Sequence, residues 1–129
     1  MATEINIASS ITGPQRQLAQ SRPSVTTAVA AWTVPYFGQY EIRLITVVNT
    51  STALSVDISI FHDPTGSVYD EDTALVYKWT LAPGDIFQFG GEDEITDYQF
   101  NGSIGVQASV ADIANFKIYG SLSGETVGP

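Results

Sequence analysis

The sequence predicts an all-β fold: a single antiparallel β-sandwich, jelly-roll-like or immunoglobulin-like, of about eight strands with an extended N-terminal arm. Three observations predict it. Apolar and polar residues alternate at a period of two in several segments, which turns one face of each segment inward. Turns built on glycine and proline separate those segments. No stretch carries an apolar stripe at helical spacing.

The alternation is cleanest from Leu54 to Ile60, where every even position is a large aliphatic and every odd one polar. It recurs at Ile104, Val106, Ala108 and Val110, and at Leu75, Tyr77, Trp79 and Leu81. Each set is expected to lie buried along one face, together with Val56, Ile58 and Ile60. Tyr40 to Asn49 is apolar at Ile42, Leu44, Ile45, Val47 and Val48, which suits a central strand covered on both faces. Phe116, Ile118 and Leu122 mark a last strand, and weaker segments run over 25–34, 85–89 and 95–100. Asn101-Gly102 tolerates the positive φ of a type I′ hairpin turn, which would place Phe100 and Ile104 on adjacent strands. Pro64-Thr65-Gly66, Pro83-Gly84-Asp85 and Gly90-Gly91 read as turns on similar grounds. Pro14 could open one or two helical turns over 15–20, and 109–116 is ambiguous.

No internal repeat or domain boundary interrupts the chain. The expected organisation is an extended arm over 1–24, a sandwich over 25–122 and a tail over 123–129. The arm holds only scattered large apolar residues, Ile5, Ile7, Ile11 and Leu18, and is expected to lie along a neighbouring chain. Arg16 and Arg22 would there meet carboxylates of the adjacent subunit, since a guanidinium offers a carboxylate two parallel hydrogen bonds.

Five Lys and Arg against fourteen Asp and Glu give a net charge of −9, which repels phosphate backbones and anionic lipid, so neither nucleic acid nor membrane is an expected partner. With no cysteine there is no thiolate nucleophile and no disulfide framework. No apolar run approaches the roughly 20 residues of a transmembrane helix. The start, MATEINIASS, lacks the basic and apolar regions of a secretory signal, so synthesis in the cytoplasm is expected.

Candidate chemistry is sparse. His62 is the sole histidine, and its neighbour Asp63 should point to the other side of a strand rather than orient it as a base. The clusters Asp70-Glu71-Asp72 and Glu92-Asp93-Glu94 supply the oxygen ligands calcium takes, but without the spacing of an EF-hand, and they read first as solvated loops. No catalytic, cofactor-binding or metal residue is assigned, and no cofactor is expected. Trp32, Tyr36 and Phe37 form the densest aromatic group, and Tyr36 and Phe37, near Pro35 and Gly38, could face a partner or a sugar.

The order of features resembles that of the small β-sandwich structural proteins of tailed bacteriophages. A Thr/Ala-rich lead-in closes on Trp32-Thr33-Val34-Pro35; an apolar strand ends in Val47-Val48-Asn49-Thr50-Ser51; an alternating strand follows; then comes Leu81-Ala82-Pro83-Gly84-Asp85. The match covers about residues 26 to 110 and is made of strand and turn residues. The resemblance implies a non-enzymatic virion protein, most directly a capsid decoration (cement) protein on the capsid exterior. Its partners would be the major capsid protein and sister copies of itself, often as a trimer. A tail- or fibre-associated module that binds carbohydrate or a receptor is the alternative it leaves open.

Overall fold

In a computed structural model of the chain, the residues described are 16–34, 40–97 and 102–122. They form eight strands: β1 (Arg16–Ser21), β2 (Val29–Thr33), β3 (Tyr40–Asn49), β4 (Val56–Asp63), β5 (Ala74–Leu81), β6 (Ile86–Asp97), β7 (Ser103–Ala108) and β8 (Ala114–Leu122). There is no helix among the described residues. The strands make two four-stranded antiparallel sheets, β1-β8-β3-β6 and β2-β7-β4-β5.

That order decides between the two sandwich types. The pairs β4–β5, β3–β6, β2–β7 and β1–β8 are nested, as if one long hairpin had been rolled up, and every sequence-adjacent pair except β4–β5 is split between the sheets. This is jelly-roll topology. An immunoglobulin sandwich would pair its first two strands within one sheet.

The core follows from the pleat. Ile42, Ile45 and Val47 of β3 and Phe116 and Ile118 of β8 meet Val56, Ile58 and Ile60 of β4 and Ile104, Val106 and Ala108 of β7, all buried. Val110 packs half-buried at its margin. Cross-strand partners share a face, and the registers Ile45↔Ile118, Val47↔Phe116 and Ile58↔Ala108 bring these apolar sets together.

Five expectations are corrected. The alternation of Leu75, Tyr77, Trp79 and Leu81 does not lie on one buried face, because Leu75, Tyr77 and Trp79 are 38%, 45% and 54% exposed. Lys78 adopts φ 55°, and two residues of β5 oppose Ser59 between the pairs Ile58↔Trp79 and Ile60↔Val76. This bulge shifts the phase of the strand, so Leu75 and Tyr77 lie opposite in phase to Val76, whereas Trp79 and Leu81 keep the phase of their core partners Ile58 and Val56 and Trp79 is exposed because β5 is the edge of its sheet. Gly90-Gly91 is not a turn. It lies inside β6, which merges the two expected strands at 85–89 and 95–100. A Cβ at Gly90 or at Gly120 would run into the Arg43 or Glu41 carbonyl of β3, whose ladder shifts register between Ile42 and Leu44. Because of that shift Ile42, Ile45 and Val47 all turn inward, while Leu44 and Val48 are half-buried, so β3 is central but not closed on both faces.

The segment around Asn101-Gly102 does not join paired strands either: β6 and β7 belong to opposite sheets, and Asn101 itself lies outside the described residues. Finally, Arg16–Ser21 is not helical. It forms the edge strand β1, paired with β8 and carrying Leu18 and Ala19 against the core. The expected arm over 1–24 is therefore part of the sandwich from Arg16 to Ser21. Residues 1–15 and the tail 123–129 lie outside the described residues.

Candidate functional site

The two turn motifs of the sequence meet at one corner. Asn49, at the end of β3, is fully buried. Its Nδ2 donates to the carbonyls of Leu54 (2.8 Å), Leu81 (3.1 Å) and Ala82 (3.1 Å), while its Oδ1 accepts from the Ser51 amide at 3.0 Å. Backbone bonds from Asn49 N–H to Asp85 and from Gly84 N–H to Asn49 close the same corner. Gly84 sits there at φ 80°, a left-handed position that glycine takes without steric cost. Asn49-Thr50-Ser51 and Leu81-Ala82-Pro83-Gly84-Asp85 are thus a structural clasp between the end of β3 and the β5–β6 crossover.

A second polar cluster fastens the β4–β5 loop to the outer face of its own sheet. Asp63, on β4 beside Ser103 of β7, accepts from the Thr65 amide (3.0 Å), the Thr65 hydroxyl (3.2 Å) and the Val68 amide (2.8 Å). The Thr65 amide first, then the Val68 amide, hold its carboxyl below the usual carboxylate value, outweighing the opposing effect of burial. Ser103 Oγ donates to the Gly66 carbonyl at 2.6 Å, so the 2.6 Å contact with Tyr69 is one in which the phenol donates. Burial pushes the Tyr69 phenol up, and the Asp63 charge adds to the rise. Below it the Tyr69 ring packs 5.8 Å from Phe61 and lies on Gly105, where a Cβ would come within 2.6 Å of the ring. Gly105 is glycine because an aromatic ring occupies the place of its side chain.

The candidate residues are placed as follows. Arg16 lies on β1 and Arg22 just beyond it, both exposed. Tyr36 and Phe37 lie outside the described residues. Trp32 is half-buried, paired with Ile104 and packed against the core. His62 is half-buried on β4, and Asp63 next to it is committed to the loop rather than to the imidazole. Asp70-Glu71-Asp72 is an exposed turn in which Asp70 Oδ1 accepts from the Asp72 amide. Glu92-Asp93-Glu94 falls within β6, with side chains outside those described. Among the described residues no group of three or more acidic, histidine or cysteine side chains could hold a metal ion.

Sequence reasoning missed an apolar edge. Between β5 and β6, the edge strands of the two sheets, the Trp79 and Phe87 rings meet at a tilt with centroids 5.4 Å apart. Leu54, just before β4, Trp79 on β5 and Ile86 at the start of β6 are 52%, 54% and 63% exposed. The edge position of β5 was the hidden element, since the alternation through Trp79 and Leu81 is the same whether or not a further strand covers it. Comparison with protein-family models and with curated proteins gives no match to this chain.

Proposed function

We propose that the protein is a non-enzymatic virion structural protein, a capsid decoration (cement) protein that docks on the assembled shell of major capsid protein and acts with sister copies of itself. The observation that carries the reading is that the large apolar side chains of Leu54, Trp79 and Ile86 stay more than half exposed on a sandwich that buries a core of other apolar residues. Exposed large apolar side chains of this kind are what a contact surface on a small domain buries. Two further features support it. The motifs behind the resemblance to phage β-sandwich proteins are spent on the Asn49 corner, a structural role that fits a structural protein. Repeated docking of one small contact on a lattice also raises avidity without any large interface.

Reconstitution with empty shells tests the reading. Saturable binding at fixed lattice positions is expected, and Ile86→Ser should lower occupancy about tenfold, an effect of about 1.4 kcal/mol. Binding only to unassembled capsid subunits, or no binding, overturns it.

A further inference from the structure

On the outer face of the sheet β2-β7-β4-β5 lies an open hollow of about 220 Å³, lined by Asp57, Ser59, Lys78, Gln107 and Ser109. Every lining side chain is polar, and the hollow draws on β4, β5 and β7 together. The local hydrogen bonds leave its capacity half used. The Lys78 amide donates to Ser59 Oγ and the Asp57 amide to Ser109 Oγ, both at 2.9 Å, so the two hydroxyls act as acceptors toward the backbone and keep their protons. Thr80 donates to Asp57 Oδ1 at 2.6 Å, which leaves Oδ2. Gln107 Nε2 donates to the Thr26 carbonyl at 3.0 Å, which leaves Oε1. Lys78 Nζ sits 5.1 Å over the Tyr77 ring and forms no ion pair with Asp57 among the described residues.

We propose that this hollow binds a single neutral saccharide ring. Residues that carry two hydroxyl donors, an ammonium, a carboxylate oxygen and an amide oxygen line one recess, and a group that both donates and accepts satisfies such a mixture. Vicinal hydroxyls do so: one donates to Asp57 or Gln107 while its neighbour accepts from Ser59, Ser109 or Lys78. An anion meets Asp57 in the hollow and a net charge of −9 around it. A cation meets Lys78, and an apolar ligand would strip water from five polar groups without replacing their hydrogen bonds. The volume is below the roughly 300–1,000 Å³ of sites that enclose drug-sized ligands, which fits one ring at the end of a glycan.

The test is an amide chemical-shift titration of the isolated full chain with the methyl glycosides of glucose, galactose, mannose and N-acetylglucosamine. Saturable shifts centred on Asp57, Ser59, Lys78, Gln107 and Ser109 are expected with at least one of them. Lys78→Gly removes the ammonium at a backbone position that glycine takes without strain, and Gln107→Ala removes the amide; each should weaken binding at least tenfold while the melting point of Lys78→Gly does not fall. No saturable shift with any of the four, shifts centred elsewhere, or unchanged affinity in both variants overturns the proposal. So does an equal response to sulfate alone, which would mark an anion site. Capsid shells do not enter the measurement, so its failure leaves the docking reading to its own experiment.

Discussion

Replacing Asn49 with Ala removes four hydrogen bonds from the corner that joins β3 to the β5–β6 crossover. Each is worth about 0.5–1.5 kcal/mol net, which sets a ceiling of about 6 kcal/mol. Two of the deserted carbonyls have other recourse. Ala82 still accepts from the Asp85 amide at 3.0 Å, and Leu54 is exposed enough to find water. Leu81 is the buried carbonyl left short, so the expected loss is about 3 kcal/mol. For a chain of 129 residues that corresponds to a fall in melting temperature of roughly 12 °C. Asn49→Asp should cost more, since a carboxylate retains the bond from Ser51 but faces three carbonyl oxygens without a proton to offer. Denaturant titration with an unchanged m-value, read beside thermal melting, measures both variants. A loss below about 1 kcal/mol for Asn49→Ala, or Asp proving milder than Ala, would refute the assignment of this corner as the clasp of the fold.

Gly105→Ala drives a methyl into the Tyr69 ring and should cost about 1–3 kcal/mol; in a Tyr69→Ala background the cost should largely vanish, and a double-mutant cycle with no coupling contradicts the packing. Asp63 titrates below its unfolded value of 3.8, so its contribution to stability is complete above that pH and disappears as pH falls through the lower folded-state value. Asp63→Asn should therefore flatten the acid limb of stability against pH below that value, and superimposable wild-type and variant curves there would exclude a role for the carboxylate. Removing residues 2–22 takes β1 away, uncovers the edge of β8 and strips Leu18 and Ala19 from the core, so stability should fall by about 2–5 kcal/mol. A truncated chain that melts like the whole would restore the picture of a detachable arm.

Local chemistry made much of the fold readable. The inward set Val56, Ile58, Ile60, Ile104, Val106, Phe116 and Ile118 is legible because the side-chain period of a strand is two and water sorts the faces. The turns at Pro64 and Pro83-Gly84 are legible because those residues restrict or widen φ locally. The strand total agreed with expectation through two offsetting differences: β1 was not anticipated, and two expected strands are one β6. Its polar sequence, Arg16-Gln17-Leu18-Ala19-Gln20-Ser21, carries no alternation, because what holds it is pairing with β8 rather than its own apolar face. The inverted phase of Leu75 and Tyr77 was equally hidden, since it arises where β5 must oppose Ser59 with two residues.

By itself, then, the sequence determined which residues are strand-like, which side of most strands is apolar, and a net charge of −9. Only the tertiary structure decided which strands pair, that Asn49 and Leu81-Ala82 form one corner, that Tyr69 stands in for a side chain at Gly105, and that Asp57, Ser59, Lys78, Gln107 and Ser109 share a hollow. The reason is physical. Periodicity and turn propensity act between near neighbours, whereas a jelly roll sends all but one of its connections to the opposite sheet. Its corners and hollows are therefore made by residues far apart in the chain, brought together by cross-strand hydrogen bonding and core burial that no local pattern records.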